Sequence, residues 1–303
     1  MRIEKPHRKV LLAIIIPALL LAMLNLGACA APTPVTRLTA SIYPVYCMLK
    51  QLTVGVENVS VACLATVNTG CAHDYQITAA DRKLLADSTL IALNGAGMEP
   101  YLDSLLPTLS ATVIETSAGL PLLPGDGHEG EFNPHTWLNP RYASVQSDTL
   151  ADALKKLLPS QAAIIERNRA AASARYAGLD AELTAALSPY KGEPIVTFHP
   201  AFEYFALGYG LTVAATLTDD PDAAPSAHEL TEVIDVVRNA GITTIFAERD
   251  SDLTAAQTVA RETGAVIGFL DTGAHPMDGV PDIDVYFAAM RANLAALKNS
   301  FTK

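Results

Sequence analysis

The chain has 303 residues, of which 50% are hydrophobic and 17% charged, and its formal net charge is −11. That length accommodates two ordinary domains with a core each. The acidic balance excludes a nucleic-acid binder, which needs a basic face, and the plentiful aliphatic residues exclude bulk disorder.

At the N-terminus Arg2, Lys5, Arg8 and Lys9 precede a 15-residue apolar run over residues 10–24. The run is too short and wrongly flanked for a membrane span and reads as a secretory signal. It ends in L-G-A-C at residues 26–29, which resembles a bacterial lipobox. The expectation is a lipoprotein signal peptide over 1–28, a lipid on Cys29 and a short tether over 29–36; an ordinary signal peptide that contains a cysteine is the other reading. Loss of residues 1–28 removes four basic residues and one acid, leaving 17 Lys and Arg against 31 Asp and Glu, a net −14. Cys47, Cys63 and Cys71 remain, and three thiols cannot all pair within one chain. An oxidising exterior permits one disulfide among them, with three pairings open.

Beyond the tether, short apolar runs alternate with helical patterns. Residues 37–43 (RLTASIY), 59–65 (VSVACLA), 89–95 (TLIALNG) and 111–116 (ATVIET) read as strands. A helix is expected after Asn139, a natural N-cap followed by Pro140 at the first helical position, and it closes at Pro159. The next helix is expected over 160–187, with Ser160 as its cap and Ser188-Pro189 as its stop. Ala172, Tyr176, Leu179, Leu183 and Leu187 share one face of it. A helix of about 27 residues spans roughly 40 Å, so it reads as a strut between two lobes, or else as a long core helix. Residues 194–199 (PIVTFH), 211–217 (LTVAATL), 243–248 (TTIFAE) and 265–270 (AVIGFL) are four more strands. Ser226 with Glu229 fits a capping box, Gly241 and Gly264 fit helix ends, and Tyr286, Met290, Leu294 and Leu297 line one face of a last helix. Such alternation implies an α/β fold with parallel sheets. The expected division is an N-terminal α/β lobe over 37–159, a linking helix over 160–188 and a C-terminal α/β lobe over 189–303.

In open α/β sheets ligands bind beyond the carboxyl ends of the strands. His73 follows the second expected strand, His199 ends the fifth, Asp271 ends the eighth, and His135 lies in the loop N-P-H-T-W-L-N-P before a helix. Three imidazoles and a carboxylate suit a borderline cation such as Zn2+. Each position alone has an ordinary structural reading: a solvated loop histidine, or a carboxylate that caps a helix.

The chain resembles the metal-binding lipoproteins of bacterial zinc and manganese ABC importers, the cluster A-I solute-binding proteins of the ZnuA and TroA types. The resemblance is carried by SIYPVY, the G-x-x-H-D-Y around His73, NGAGMEPYLDSLL, NPHTWLNP, TFHPAFEYFALGYGL, IFAERD, ETGAVIGFLD and YFAAMRANLAAL, in family order over roughly residues 37–298. It implies two (β/α) lobes joined by one long rigid helix, with the metal in the cleft on His73, His135, His199 and Asp271. Manganese-type relatives tend to carry a carboxylate where His199 stands, so the imidazole favours Zn2+ over Mn2+. Two departures flank His73: Ala72 stands where the family has proline, and DYQI where it has SYEP. A disulfide from Cys71 to Cys47 or Cys63 would brace that loop; a free Cys71 thiol, and Cys71 as a zinc ligand with the loop folded back, are the other readings. His128 and Glu129, with Glu131, form either an accessory metal-collecting site or a solvated loop. Glu248 reads either as a carboxylate that orients a metal-bound histidine or as a helix cap. His228 is expected to face solvent, and His275 to line the cleft rim.

The function implied is an extracytoplasmic, lipid-anchored and monomeric solute-binding protein that captures Zn2+ for the permease of an ABC importer. A manganese-binding member of the same family is the near alternative. An extracellular zinc hydrolase and an adhesin are alternatives of other classes. The hydrolase is opposed by the absence of H-E-x-x-H and G-x-S-x-G motifs, and by four protein ligands, which leave no open coordination position.

Overall fold

The computed structural model describes residues 35–65, 75–125, 131–218, 224–248 and 251–302. The expected signal peptide, Cys29, Cys71, His73, His128 and Glu129 lie outside the described residues.

All eight expected strands form. The first half of the chain gives β1 (Thr36–Ile42), α1 (Tyr43–Leu52), β2 (Val59–Ala65), α2 (Ala79–Ala86), β3 (Leu90–Leu93), β4 (Thr112–Glu115) and α3 (Pro140–Leu157). The long helix α4 (Ala162–Leu187) follows. The second half gives β5 (Pro194–Thr197), α5 (Glu203–Tyr209), β6 (Thr212–Thr216), α6 (Ala227–Ala240), β7 (Thr244–Glu248), α7 (Thr254–Thr263), β8 (Val266–Leu270) and α8 (Asp282–Phe301). The strands form two all-parallel four-stranded sheets, ordered β2-β1-β3-β4 and β6-β5-β7-β8. In each sheet the chain reverses its winding between the two central strands, β1 and β3 in one and β5 and β7 in the other. These are the switch points where α/β sheets open a crevice beyond their carboxyl ends.

Local chemistry sets the helix ends. Asn139 caps α3 by accepting a hydrogen bond from the Arg141 N–H at 3.0 Å, ahead of Pro140. Ser226 and Glu229 form a reciprocal capping box on α6, and Gly241 and Gly264 end α6 and α7 in left-handed conformation. Ser160 does not cap α4. It lies inside a 3-10 turn, Pro159–Gln161, and α4 begins after Gln161 without a side-chain cap. Pro159 fixes the first φ of that turn, and the chain enters the helix through it. At 26 residues α4 spans about 39 Å.

Period-2 alternation divides each sheet between two cores. Leu38, Ala40 and Ile42 of β1, Leu90 and Ala92 of β3, Ile195 of β5, Phe246 of β7 and Leu270 at the end of β8 all enter one central core. Ile91 and Leu93 of β3 face a separate core under α2. Val196, Ile245 and Ala247 face another under α6 and α7. The central core is built on α4, whose buried stripe is Ile165, Ala172, Tyr176, Leu179, Leu183 and Leu187. The five positions expected from spacing are all in it. Residues from Thr36 onward accordingly form one unit by contact.

Polar straps reinforce this core at the start of α8. Tyr43 and Tyr46 of α1 donate to the Asp282 carboxylate at 2.7 and 3.0 Å. Arg175 of α4 lies 2.5 Å from Asp284, donates to the Ile283 carbonyl at 2.9 Å and sits over the Phe287 ring at 3.9 Å. Among the described residues, no helix is long and apolar enough to cross a membrane.

Because both sheets share the α4 core, Leu183→Ala is expected to destabilise the whole chain by about 3 kcal/mol. Urea unfolding followed by Trp137 fluorescence and by far-UV circular dichroism should show one transition that shifts as a unit. Two separated transitions, only one of them shifted, would show that the halves hold independent cores.

Candidate metal centre

His135 and His199 come from opposite halves of the chain and meet. His135 opens the 3-10 turn Thr136–Leu138 just before α3, and His199 stands two residues beyond the central strand β5. Both are buried, and their Nε2 atoms are 3.3 Å apart. The rings meet edge to face, with centroids 5.0 Å apart.

His135 is held by an acceptor at its other nitrogen, and His199 has a carboxylate beside its own. His135 Nδ1 lies 3.0 Å from Asn133 Oδ1, which also accepts the His135 backbone N–H at 3.0 Å. His199 Nδ1 lies 2.5 Å from Oε1 of Glu248, the last residue of β7. An acceptor at Nδ1 keeps the proton there and leaves a lone pair on Nε2. With the proton on Nδ1 of both rings, two Nε2 lone pairs face one point, where a cation is the stable neighbour; a proton on either Nε2 makes the same contact a hydrogen bond. Two nitrogen ligands about 2.0–2.1 Å from a tetrahedral Zn2+ stand roughly 3.3–3.4 Å apart, and the observed 3.3 Å fits that spacing.

Asp271 is the first residue after β8. Its Oδ1 accepts the Gly273 N–H at 2.7 Å, and its backbone exchanges hydrogen bonds with the Asn293 side chain at 2.8 and 2.7 Å. It is not gathered with the two histidines: among the described residues, no three His, Cys, Asp or Glu side chains are grouped to hold a metal ion. Its loop is nevertheless tied to the His135 loop, because Trp137 Nε1 donates to the Thr272 carbonyl at 2.8 Å. His228 is exposed on the first turn of α6 and lies 3.4 Å from Glu232. His275 is half-buried four residues past Asp271. Cys47 carries a buried thiol that burial pushes up to about 12, and burial also raises Cys63. Thiols held that high are poor metal ligands, since the thiolate is the binding form. The brace proposed for Cys71 cannot be followed, as Cys71 is outside the described residues.

Several residues that shape this site gave only faint sequence signals. Asn133 forms an Asx turn in an N-P-H stretch, a signal the N-P dipeptide carries. Tyr286 and Tyr204 donate to the carbonyls of Trp137 and Asn133, both at 2.8 Å, so the second half of the chain grips the His135 loop. Helix α5 comes close enough that a Cβ on Gly208 would stand 2.9 Å from Asn139 Nδ2. From the first half, Asn94 Nδ2 donates to the Pro134 carbonyl at 2.8 Å. Asn94 is in turn held by Glu99, a buried carboxylate at the β1–β3 switch point. Glu99 accepts from Ser41 Oγ at 2.5 Å, Asn94 N–H at 2.7 Å and Gly95 N–H at 3.0 Å. Gly95 has φ +82, and a Cβ there would lie 2.7 Å from Ser117 Oγ, so the turn that wraps Glu99 requires glycine.

A family model described as ZnuA, zinc-uptake complex component A periplasmic, matches residues 38–300. The chain is 30% identical over 284 residues to the zinc-binding lipoprotein AdcA of Streptococcus pneumoniae, a match that covers 87% of this chain and 55% of that protein. It spans about half the length of the AdcA relatives it matches. It is 26% identical over 310 residues to the high-affinity zinc uptake system protein ZnuA of Brucella suis, covering 87% of this chain and 91% of the other. A crystal structure of ZnuA superposes with a TM-score of 0.77 at 26% identity, covering 88% of this chain and 99% of that one.

Burial raises Glu99 from its ordinary value of 4.5 to about 7, against the opposing pull of its three hydrogen bonds. Between those two pH values the folded protein binds more protons than the unfolded chain. Stability is then complete below about 4.5 and falls as pH rises through about 7, by about 3 kcal/mol from this group. Glu99→Gln should lack that decline when urea unfolding is compared at about pH 4.5 and pH 7.5. Parallel stability curves for the two proteins would show that Glu99 titrates near its ordinary value.

Proposed function

The chain belongs to the family of zinc-uptake complex component A, periplasmic (ZnuA), and from that membership we propose that it is an extracytoplasmic solute-binding protein that captures Zn2+ and delivers it to an ABC-type importer. One observation carries the reading: two buried imidazoles from opposite halves of the chain bring their Nε2 atoms to 3.3 Å, the spacing of two zinc ligands. His135 and His199 supply the paired half of the site; Asp271, which is not gathered with them, would have to move in to join them, and His73 would be the fourth ligand of the shell. Nitrogen donors favour Zn2+ over harder cations such as Mn2+.

The role is binding and handover rather than catalysis, since four protein ligands leave no coordination position for an activated water. The division into lobes over 37–159 and 189–303, linked by residues 160–188, is part of the proposal; the presence of one four-stranded sheet before α4 in sequence and one after it supports it. Lipidation at Cys29, with residues 29–36 as tether, would keep a monomeric carrier beside its permease. The name zinc-binding lipoprotein, borne by the S. pneumoniae relative, supports that anchor.

Calorimetric titration of the metal-free protein with Zn2+ is expected to show one tight, submicromolar site. His199→Ala should weaken it by more than about 100-fold, because a ligand contributes more than the outer partners that cost up to that much. Undiminished zinc binding in His199→Ala would reject the assigned site.

A further inference from the structure

Asn133 occupies an unusual position between the two ligand loops. Its Oδ1 faces His135, accepting the backbone N–H at 3.0 Å and lying 3.0 Å from ring Nδ1. Its Nδ2 faces the other way, donating to the carbonyl of Pro200 at 2.7 Å and to Glu203 Oε2 at 3.0 Å. Pro200 directly follows His199, and Glu203 opens α5. Its own carbonyl accepts the Tyr204 hydroxyl at 2.8 Å. The amide is buried, and both ends are used in the one orientation that gives every partner the complementary group, since carbonyl and carboxylate acceptors require the NH2 end.

Resting on the zinc-binding reading above, we infer that Asn133 is a positioning residue that sets the Nδ1–H tautomer of His135 and fixes the distance between the His135 and His199 loops, so that the two-histidine half of the site exists before metal arrives. The amide carries out two tasks at once. Its oxygen holds the His135 proton on Nδ1 and frees Nε2 for metal. Its nitrogen ties that ring to the backbone beside His199. A neutral amide suits this position because Glu203 Oε2 lies 3.0 Å from the NH2 end; a carboxylate would set two like charges together.

The test begins with the metal-free wild-type protein. Two-bond proton–nitrogen spectra of histidine-labelled protein report the tautomer of each ring, and the His135 signals are assigned by their loss in His135→Gln. The expected result is an Nδ1-protonated His135 in the wild type and a mixture of tautomers in Asn133→Ala, with a zinc affinity about 10–100-fold weaker. Asn133→Asp, which retains an oxygen for His135 but loses the donor to Pro200, should keep the tautomer and still bind zinc more weakly than wild type. An Nε2-protonated His135 in the wild type overturns the inference, even if Asn133→Ala fails to fold. Unchanged tautomer and unchanged affinity in a folded Asn133→Ala overturn it as well. The spectra contain no zinc, so failure of the zinc-binding reading would appear separately, as a wild-type protein that does not take up the metal.

Discussion

Six side chains along one face of α4, from Ile165 to Leu187, are buried in a core that also receives side chains from both sheets. A packed interior deforms very little, because each displaced side chain loses close contacts and opens a void. Relative movement of the two sheets is therefore opposed by the whole length of the helix. The site needs this property. His135 and His199 are 64 residues apart in sequence, belong to different halves, and stand with Nε2 atoms at 3.3 Å. A drift of even 1 Å would undo the match to a metal with ligand distances near 2 Å. The Asp282 and Arg175 straps act at the start of α8 in the same sense, fixing by direction what the apolar core fixes by volume.

On that frame the polar interior becomes a means of placing loops. Loops carry the functional side chains, yet a loop buried between two halves must satisfy its own backbone groups. The segment from Asn133 to Asn139 bonds most of its N–H groups within itself, and side chains of other elements satisfy three of its carbonyls: Asn94 on Pro134, Tyr204 on Asn133 and Tyr286 on Trp137, while the Trp137 side chain ties it to Thr272. Each bond satisfies a buried group and specifies a position. Glu99 extends the chain of support to the β1–β3 switch point, at the cost of burying a carboxylate without a cationic partner among its hydrogen-bonded neighbours.

The strands were legible because buried parallel strands are short apolar runs bounded by turn residues. The caps at Asn139 and Ser226 were legible because they depend on three or four adjacent residues. Ser160 misled for the complementary reason: the capping signal is local, but Pro159 opens a 3-10 turn, and the helix then starts after Gln161. The pairing of His135 with His199 could be anticipated only through the strand-end rule and the family resemblance, since no local pattern joins residues so far apart. The contact of His199 with Glu248 follows from neighbouring strands β5 and β7, both of which end at the same edge. The tie from Asn133 to Pro200 and the bonds of Trp137 and Tyr286 were out of reach because their partners are backbone carbonyls, which leave no trace in the identity of the residues that supply them.

The two histidines are supported by different acceptors, and the difference bears on charge. His135 rests on a neutral amide, His199 on a carboxylate. In the proposed site Zn2+ brings two positive charges, Asp271 and Glu248 would offset them, and Glu203 is a further carboxylate beyond Asn133. A buried charge without compensation is costly, and a carboxylate directly behind His135 would add negative charge to the same interior. An amide at position 133 avoids that excess while still holding a proton on Nδ1.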